Sequence, residues 1–501
     1  MPVGAPADAP RRLRVAVALI GVFAVVLVGA IQAVGLVVTR TAGPSPSASA
    51  VSSAAAAGPD ASAPDASAPL PSPAVSIPPA SFSPPGPPTS HGLIAVVDDS
   101  GALSTMDDGG GSRVTYPAPG VVFGFPAWSP NGKKIAIVGQ TVRDTAIYVF
   151  TVPRGHTATA NGPTRPEIIY QSADRPPFYL YWTPDSSSVA FLATEATEIS
   201  LRIAPADGSA PLDGSGRGSI IRSGAPLYFD WVKSDRLLLH VGVGSKAFVG
   251  EVGLNGASVR PALPGTGEFR AASVSRDGRY LAYVRSRTGS SSELVVAARN
   301  GKASQEMPFF GPAAFAFDPT SDTLAAIAAE APVDPAVGVP IGPLRLINSR
   351  TGTVRTLIDR SVIAFFWAPD GKSIAVLRLA QPGDDQVAAG AGVVLAGASV
   401  PPPSAGGTVQ ALGIVVRLAF ADLSTGLVGP DRVIRLGDHF VEQLLSYFDQ
   451  YSLSHRLWSP DGASILLPLV DAAGRDQIVV VPADGSAPRP IAAGAKGFWS
   501  P

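Results

Sequence analysis

Phe125-Pro-Ala-Trp128-Ser-Pro-Asn-Gly132-Lys-Lys-Ile-Ala-Ile-Val138 joins an aromatic strand end, a tight turn and a near-continuous apolar run. Proline presets φ for the turn, Asn and Gly complete it, and Ile-Ala-Ile-Val has the look of a strand buried on both faces. The same unit returns at Tyr181-Trp182-Thr-Pro-Asp185, Phe365-Phe-Trp367-Ala-Pro-Asp-Gly371 and Leu457-Trp458-Ser-Pro-Asp-Gly462. Weaker copies stand at Phe229-Asp-Trp231, Ser273-Val-Ser-Arg-Asp-Gly278 and Phe315-Ala-Phe317-Asp-Pro, and Phe498-Trp499-Ser-Pro501 repeats the first half alone. Successive Trp-equivalent positions lie 54, 49, 43, 43, 50, 91 and 41 residues apart, the length of one four-stranded unit plus its loops.

Further turns recur within each unit, at Asn255-Gly256, Asn300-Gly301, Thr351-Gly352 and Thr425-Gly426, each suited to the positive φ of a tight hairpin. The two ends of the repeat region are complementary. Phe498-Trp-Ser-Pro501 is a first strand with nothing after it, and Gly92-Leu-Ile-Ala-Val-Val-Asp98 a second strand with nothing before it. Pairing them closes a ring and leaves neither edge open. The expectation is an all-β, eight-bladed β-propeller over residues 91–501, or seven blades if the Trp-less copy at 273–278 is not counted.

These repeats resemble the TolB-type, WD-repeat-like propeller family, over roughly residues 91 to 501. The resemblance implies an envelope propeller used mostly for protein contacts. Similar propellers also precede serine peptidase domains, and no such domain is expected after Pro501. The segments before residue 91 depart from the family pattern and put a periplasmic TolB-specific role in doubt.

Val15 to Thr39 carries no charge and measures about 37 Å as a helix, enough to span a bilayer. Arg11, Arg12 and Arg14 precede it and Arg40 alone follows closely, which places residues 1–14 in the cytoplasm and the repeats outside. A cleaved signal peptide ending near Ala48-Ser49-Ala50 is the alternative, but the apolar stretch is too long and the site too distant. Residues 40–90 are Ala, Ser, Pro and Gly with hardly a charge, the composition of a disordered linker. Its reach is about 40 Å as a coil and about 150 Å if stiff.

The formal charge of −1 carries no footprint for nucleic acid, and 31 Arg against 7 Lys suggests a GC-rich bacterial genome. With no cysteine, disulfides, thiolate metal sites and cysteine nucleophiles are excluded. No serine-hydrolase elbow, phosphate loop or His-Glu-x-x-His helix occurs, so no catalytic residue, metal ligand or cofactor is assigned. His91, His156, His240, His439 and His455 are scattered over different repeats. Asp185, Asp277, Asp370 and Asp461 share one turn position and read as turn residues rather than a carboxylate ring. Trp128, Trp182, Trp231, Trp367, Trp458 and Trp499 read as packing positions.

The longest interval holds the exception. Ala380 to Gly413 is rich in Gly, Ala and Pro, and Asp438 to Tyr451 reads as a short amphipathic helix with Phe440, Val441, Leu444, Leu445 and Phe448 on one face. That face is expected to turn inward as a cap. The sharper alternative is a partner-docking surface through Asp438, His439, Glu442, Tyr447 and Tyr451. The function expected is a non-enzymatic, membrane-anchored binding or scaffolding module for an envelope protein or cell-wall component. A metal-dependent lactonase or hydrolase with a channel site, and a sensor subunit of a membrane complex, are the alternatives.

Overall fold

The computed structural model describes residues 92–153, 165–209, 218–265, 267–287, 291–331, 339–385 and 414–501. The cytoplasmic tail, span and linker expected over 1–90, His91, His156 and most of the 380–413 insertion lie outside the described residues. Among the described residues no helix is long and apolar enough to cross a membrane.

The chain is all-β, a succession of antiparallel meanders consistent with a propeller. The closing strand Lys496–Trp499 pairs with Ile94–Val97, which continues through Leu103–Met106 to Val114–Tyr116. Two complete four-stranded meanders follow, beginning with Val122–Trp128 and Pro177–Trp182. The sheet beginning with Leu227–Lys233 has three strands, one fewer than the repeat reading expects. Its missing outer strand is reduced to one bridge, Val252 to Ser258.

From Ser273 to Ala493 the meanders run together into a 13-stranded sheet, because two strands are shared and Leu436 of Arg432–Leu436 pairs with Leu469 of Ser464–Val470. Ala303–Phe317 pairs through its first half with Ser291–Ala298 and through its second with Thr323–Ala329, with the register broken between Phe310 and Ala313. Val354–Trp367 repeats the device around Val362 and Ala364. At both joints a residue of positive φ bends the strand, Gly311 in one and Ser361 in the other.

The second strands of several meanders contain fully buried stretches. Ile135 to Ile137, Val189 to Phe191, Ile374 to Leu377 and Ile465 to Leu467 have no exposed surface, as continuous apolar runs covered on both faces should. The recurring turns have a shared internal geometry. Gly132, Gly278, Gly371 and Gly462 each donate a backbone N–H three residues back, to Ser129, Ser275, Ala368 and Ser459. Asp185, Asp277, Asp370 and Asp461 accept the backbone N–H two residues on, so each carboxylate is engaged by its own turn.

The tryptophans tie neighbouring meanders together. Trp182 donates its indole N–H to Ala127 O (2.9 Å), Trp367 to Ala316 O (3.1 Å) and Trp458 to Phe366 O (2.9 Å). In each case the acceptor directly precedes the Trp-equivalent residue of an earlier copy of the repeat. Trp231 and Trp499 occupy the same position with their indole nitrogens buried and no hydrogen-bond partner among the described residues.

Candidate functional site

The segment expected as a single amphipathic helix is a helix at Asp438–Gln443, a 3-10 turn at Leu445–Tyr447 and a second helix at Phe448–Ser454. The break follows from its neighbours: Leu444 leaves ideal helical geometry (φ −112°) while its side chain stays in the core. Phe440, Val441, Leu444, Leu445 and Phe448 are all buried, so the apolar face points inward.

This segment rests on first strands from several meanders. Phe448 packs edge-on against Phe365 and Phe366 at 5.3 and 5.7 Å. Tyr451 meets Phe125 at 5.8 Å and Tyr179 at 5.3 Å, and the Tyr179 hydroxyl donates to Gln450 O (3.1 Å). His455 lies against Phe498 at 4.8 Å. One short segment can touch residues 125, 179, 365 and 498 together only where those strands converge, so it fills the axis of the meanders.

Burial dominates the electrostatics there. Asp230, 5% exposed, is pushed up to about 7 by desolvation although Trp231 N donates to it at 2.7 Å and Val274 N at 3.4 Å. Asp449 is likewise pushed up to about 7 by burial, opposed by the charge of Arg270. His455 is pulled down to about 3 by burial, its Nδ1 within 2.7 Å of Ser454 Oγ. Tyr179, Tyr181 and Tyr228 are raised well above the usual phenol range by burial. The void beside the segment, bounded by His455, Arg456, Tyr181 and Trp499, measures about 40 Å³. That is room for about one water molecule.

An open groove of about 530 Å³ lies elsewhere, over the turns that follow Val274, Phe317 and Ile347. Arg276, Arg279 and Arg350 line it with Asp277, Asp322 and Asn348. Arg279 pairs with Asp277 and with Asp322 (3.2 Å), and Arg350 reaches Asp322 at 3.7 Å. Arg276 is exposed and has no ion pair among the described residues.

The residues expected as a docking surface divide. His439 and Glu442 are exposed, Asp438 and Tyr447 half-buried, and Tyr451 is held in the aromatic packing just described. His439 faces Asp476 at 3.5 Å, which raises its pKa. Among the described residues no three His, Asp or Glu side chains come together as a metal-ligand set.

Sequence reading missed Asp230 and the arginine groove, and both had a signal. Asp230 takes the place before Trp231 where other copies carry Ala127, Tyr181, Phe366, Leu457 and Phe498. Arg276 stands where other copies have the turn proline, Pro130, Pro369 or Pro460.

No protein-family model and no curated protein matches the chain. Its structural neighbours include TolB-type propellers. TolB from Acinetobacter baumannii is 14% identical with a TM-score of 0.32, over 82% of this chain and 67% of that one. AztD from Citrobacter koseri is 14% identical with a TM-score of 0.43, over 81% and 96%. The dihydro-heme d1 dehydrogenase NirN is 14% identical with a TM-score of 0.48, over 84% and 77%. The fold assignment itself rests on the strand pairing of this chain.

Proposed function

We propose that the chain is an eight-bladed propeller, held on the outer face of a bacterial membrane by residues 15–39 and the linker 40–90, that binds or scaffolds another envelope component. The count of eight takes the two shared strands as belonging half to each neighbour. It also takes the Trp458 to Ile465 bridge as the remnant first strand of the unit starting at Ser464.

The observation that carries the binding reading is the filled axis. A propeller enzyme of the lactonase kind gathers its polar groups in the central channel, and here Phe448, Tyr451 and His455 pack where the first strands converge. The face bearing the turns carries an open polar groove of about 530 Å³. Polar groups on loops carried by a rigid scaffold are suited to recognising a partner.

Crosslinking of the full-length protein in cells, purification from solubilised membranes and mass spectrometry test the reading, with residues 1–90 alone as the control. A reproducible envelope partner absent from the control is expected. Failure to recover one, together with turnover of a lactone or ester by the purified protein, contradicts it.

A further inference from the structure

We propose that the groove of Arg276, Arg279 and Arg350 binds an acidic peptide segment of a protein partner, laid extended across three neighbouring turns. This rests on the binding reading above and names its site and the chemistry of its ligand.

The charges in the groove alternate. Asp277 stands beside Arg279, and Asp322 lies between Arg279 and Arg350, within 3.2 and 3.7 Å of their guanidinium groups. A compact phosphate is held best where guanidinium groups converge on one point. Here the point on which Arg279 and Arg350 converge is already taken by Oδ2 of Asp322, which a compact dianion would have to displace. An extended peptide has the opposite geometry, its side chains spaced along the chain, so acidic residues can meet the arginines in turn. Asn348 adds a donor for the peptide backbone. Its Oδ1 is taken by the N–H groups of Arg350 and Thr351, at 3.0 and 3.1 Å, and its amide NH2, on an exposed residue, is free to donate.

Arg276 supplies the uncompensated charge. It is exposed at the tip of the Ser275 to Gly278 turn, where a proline would serve the backbone equally well. A carboxylate arriving beside it meets a cation with no competing ion pair among the described residues, which favours an acidic ligand and a binding strength that falls with salt.

The test uses the full-length protein in detergent and a fluorescein-labelled decapeptide alternating glutamate with glycine and serine. A glutamine counterpart and pyrophosphate serve as competitors. Saturable binding of the acidic peptide is expected, weakened at least about tenfold in the Arg276→Gln/Arg350→Gln double variant. Arg475→Gln, at a distant exposed arginine paired with Asp471, should leave it unchanged. No saturable binding, equal binding of the glutamine peptide, or displacement by pyrophosphate at lower concentration than by the unlabelled peptide would overturn the proposal. If the double variant misfolds, the wild-type peptide comparison and its salt dependence still decide. In the cellular capture, equal partner recovery by wild type and double variant overturns the groove and leaves the binding reading standing. Recovery of no partner by wild type overturns the reading itself.

Discussion

The indole N–H of Trp128 donates to the backbone carbonyl of Phe498 at 3.1 Å, across 370 residues of sequence. It continues the pattern set by Trp182, Trp367 and Trp458, each bonded to an earlier copy of the repeat, and carries it over the junction of the chain ends. The closing strand thus behaves as the ordinary predecessor of the unit that starts at Val122.

This gives a comparison between two tryptophans in equivalent places. Trp128→Phe should destabilise the domain by about 2 kcal/mol, from lost packing and a lost hydrogen bond. Trp231→Phe removes an indole nitrogen that has no acceptor among the described residues and should cost less. Urea denaturation of both variants checks the order, and an equal or reversed order contradicts a closure role for the Trp128 bond.

Glycine requirements differ among the hairpin turns. Gly352 sits at φ 75° with the carbonyl oxygen of Ser304 where a Cβ would go, whereas Gly301 at φ 90° has open space around that position. Gly301→Ala should therefore cost about 1 kcal/mol, the conformational penalty alone. Gly352→Ala adds a backbone clash and should cost at least about 2 kcal/mol. Thermal midpoints of the two variants decide it.

Asp230 predicts a pH dependence with a definite sign. Its carboxyl is pushed up to about 7 in the fold, so between the unfolded carboxylate range and pH 7 the native state holds the extra proton. The stabilisation it gives is fully present at pH 3.5 and is lost as pH rises through 7, on the order of 4 kcal/mol at most. His455, pulled down to about 3, acts in reverse, its contribution being present above pH 6.5 and lost on acidification. Asp230→Asn should isolate the first effect, gaining stability over wild type from about pH 4 to pH 7 and levelling off above pH 7. A difference that does not change with pH would show that Asp230 is not buried as described.

Phe448 tests whether the helical segment is core. It is 1% exposed between Phe365 and Phe366, and Phe448→Ala should cost about 3–5 kcal/mol in urea denaturation. A loss below about 1 kcal/mol would mean the segment lies loosely on the surface. For the same reason, deleting 438–451 removes core packing along with any docking surface, whereas point changes at the exposed His439 and Glu442 probe docking alone.

How far the molecule was legible follows from where its information lies. The repeat at Trp128, Trp182, Trp367 and Trp458 announces turn and strand locally, because proline, aspartate and glycine act through their own backbone. The complementary half-units at 92–98 and 498–501 exposed the closure for the same reason. The shared strands Ala303–Phe317 and Val354–Trp367 did not show, since a strand passing from one sheet to the next keeps the same composition. Nor did the filled axis: the apolar stripe at 440–448 said that this face is buried, but what it is buried against depends on residues as distant as Phe125 and Phe365. The arginine groove required three turns to become neighbours, and only the proline replaced by Arg276 hinted at it.

Ring closure between Ile94–Val97 and Lys496–Trp499 makes the domain one unit, and it is open to a covalent test because the chain contains no cysteine. Val97 and Lys496 are direct cross-strand partners, a placement whose Cα separation of about 4.5–5.5 Å suits a disulfide. A Val97→Cys/Lys496→Cys protein, oxidised under native conditions, should form an intramolecular disulfide, migrate faster on a non-reducing denaturing gel and melt at a higher temperature than its reduced form. Two thiols that stay free and reactive in the folded protein, or that join only different molecules, would contradict a ring closed between its ends.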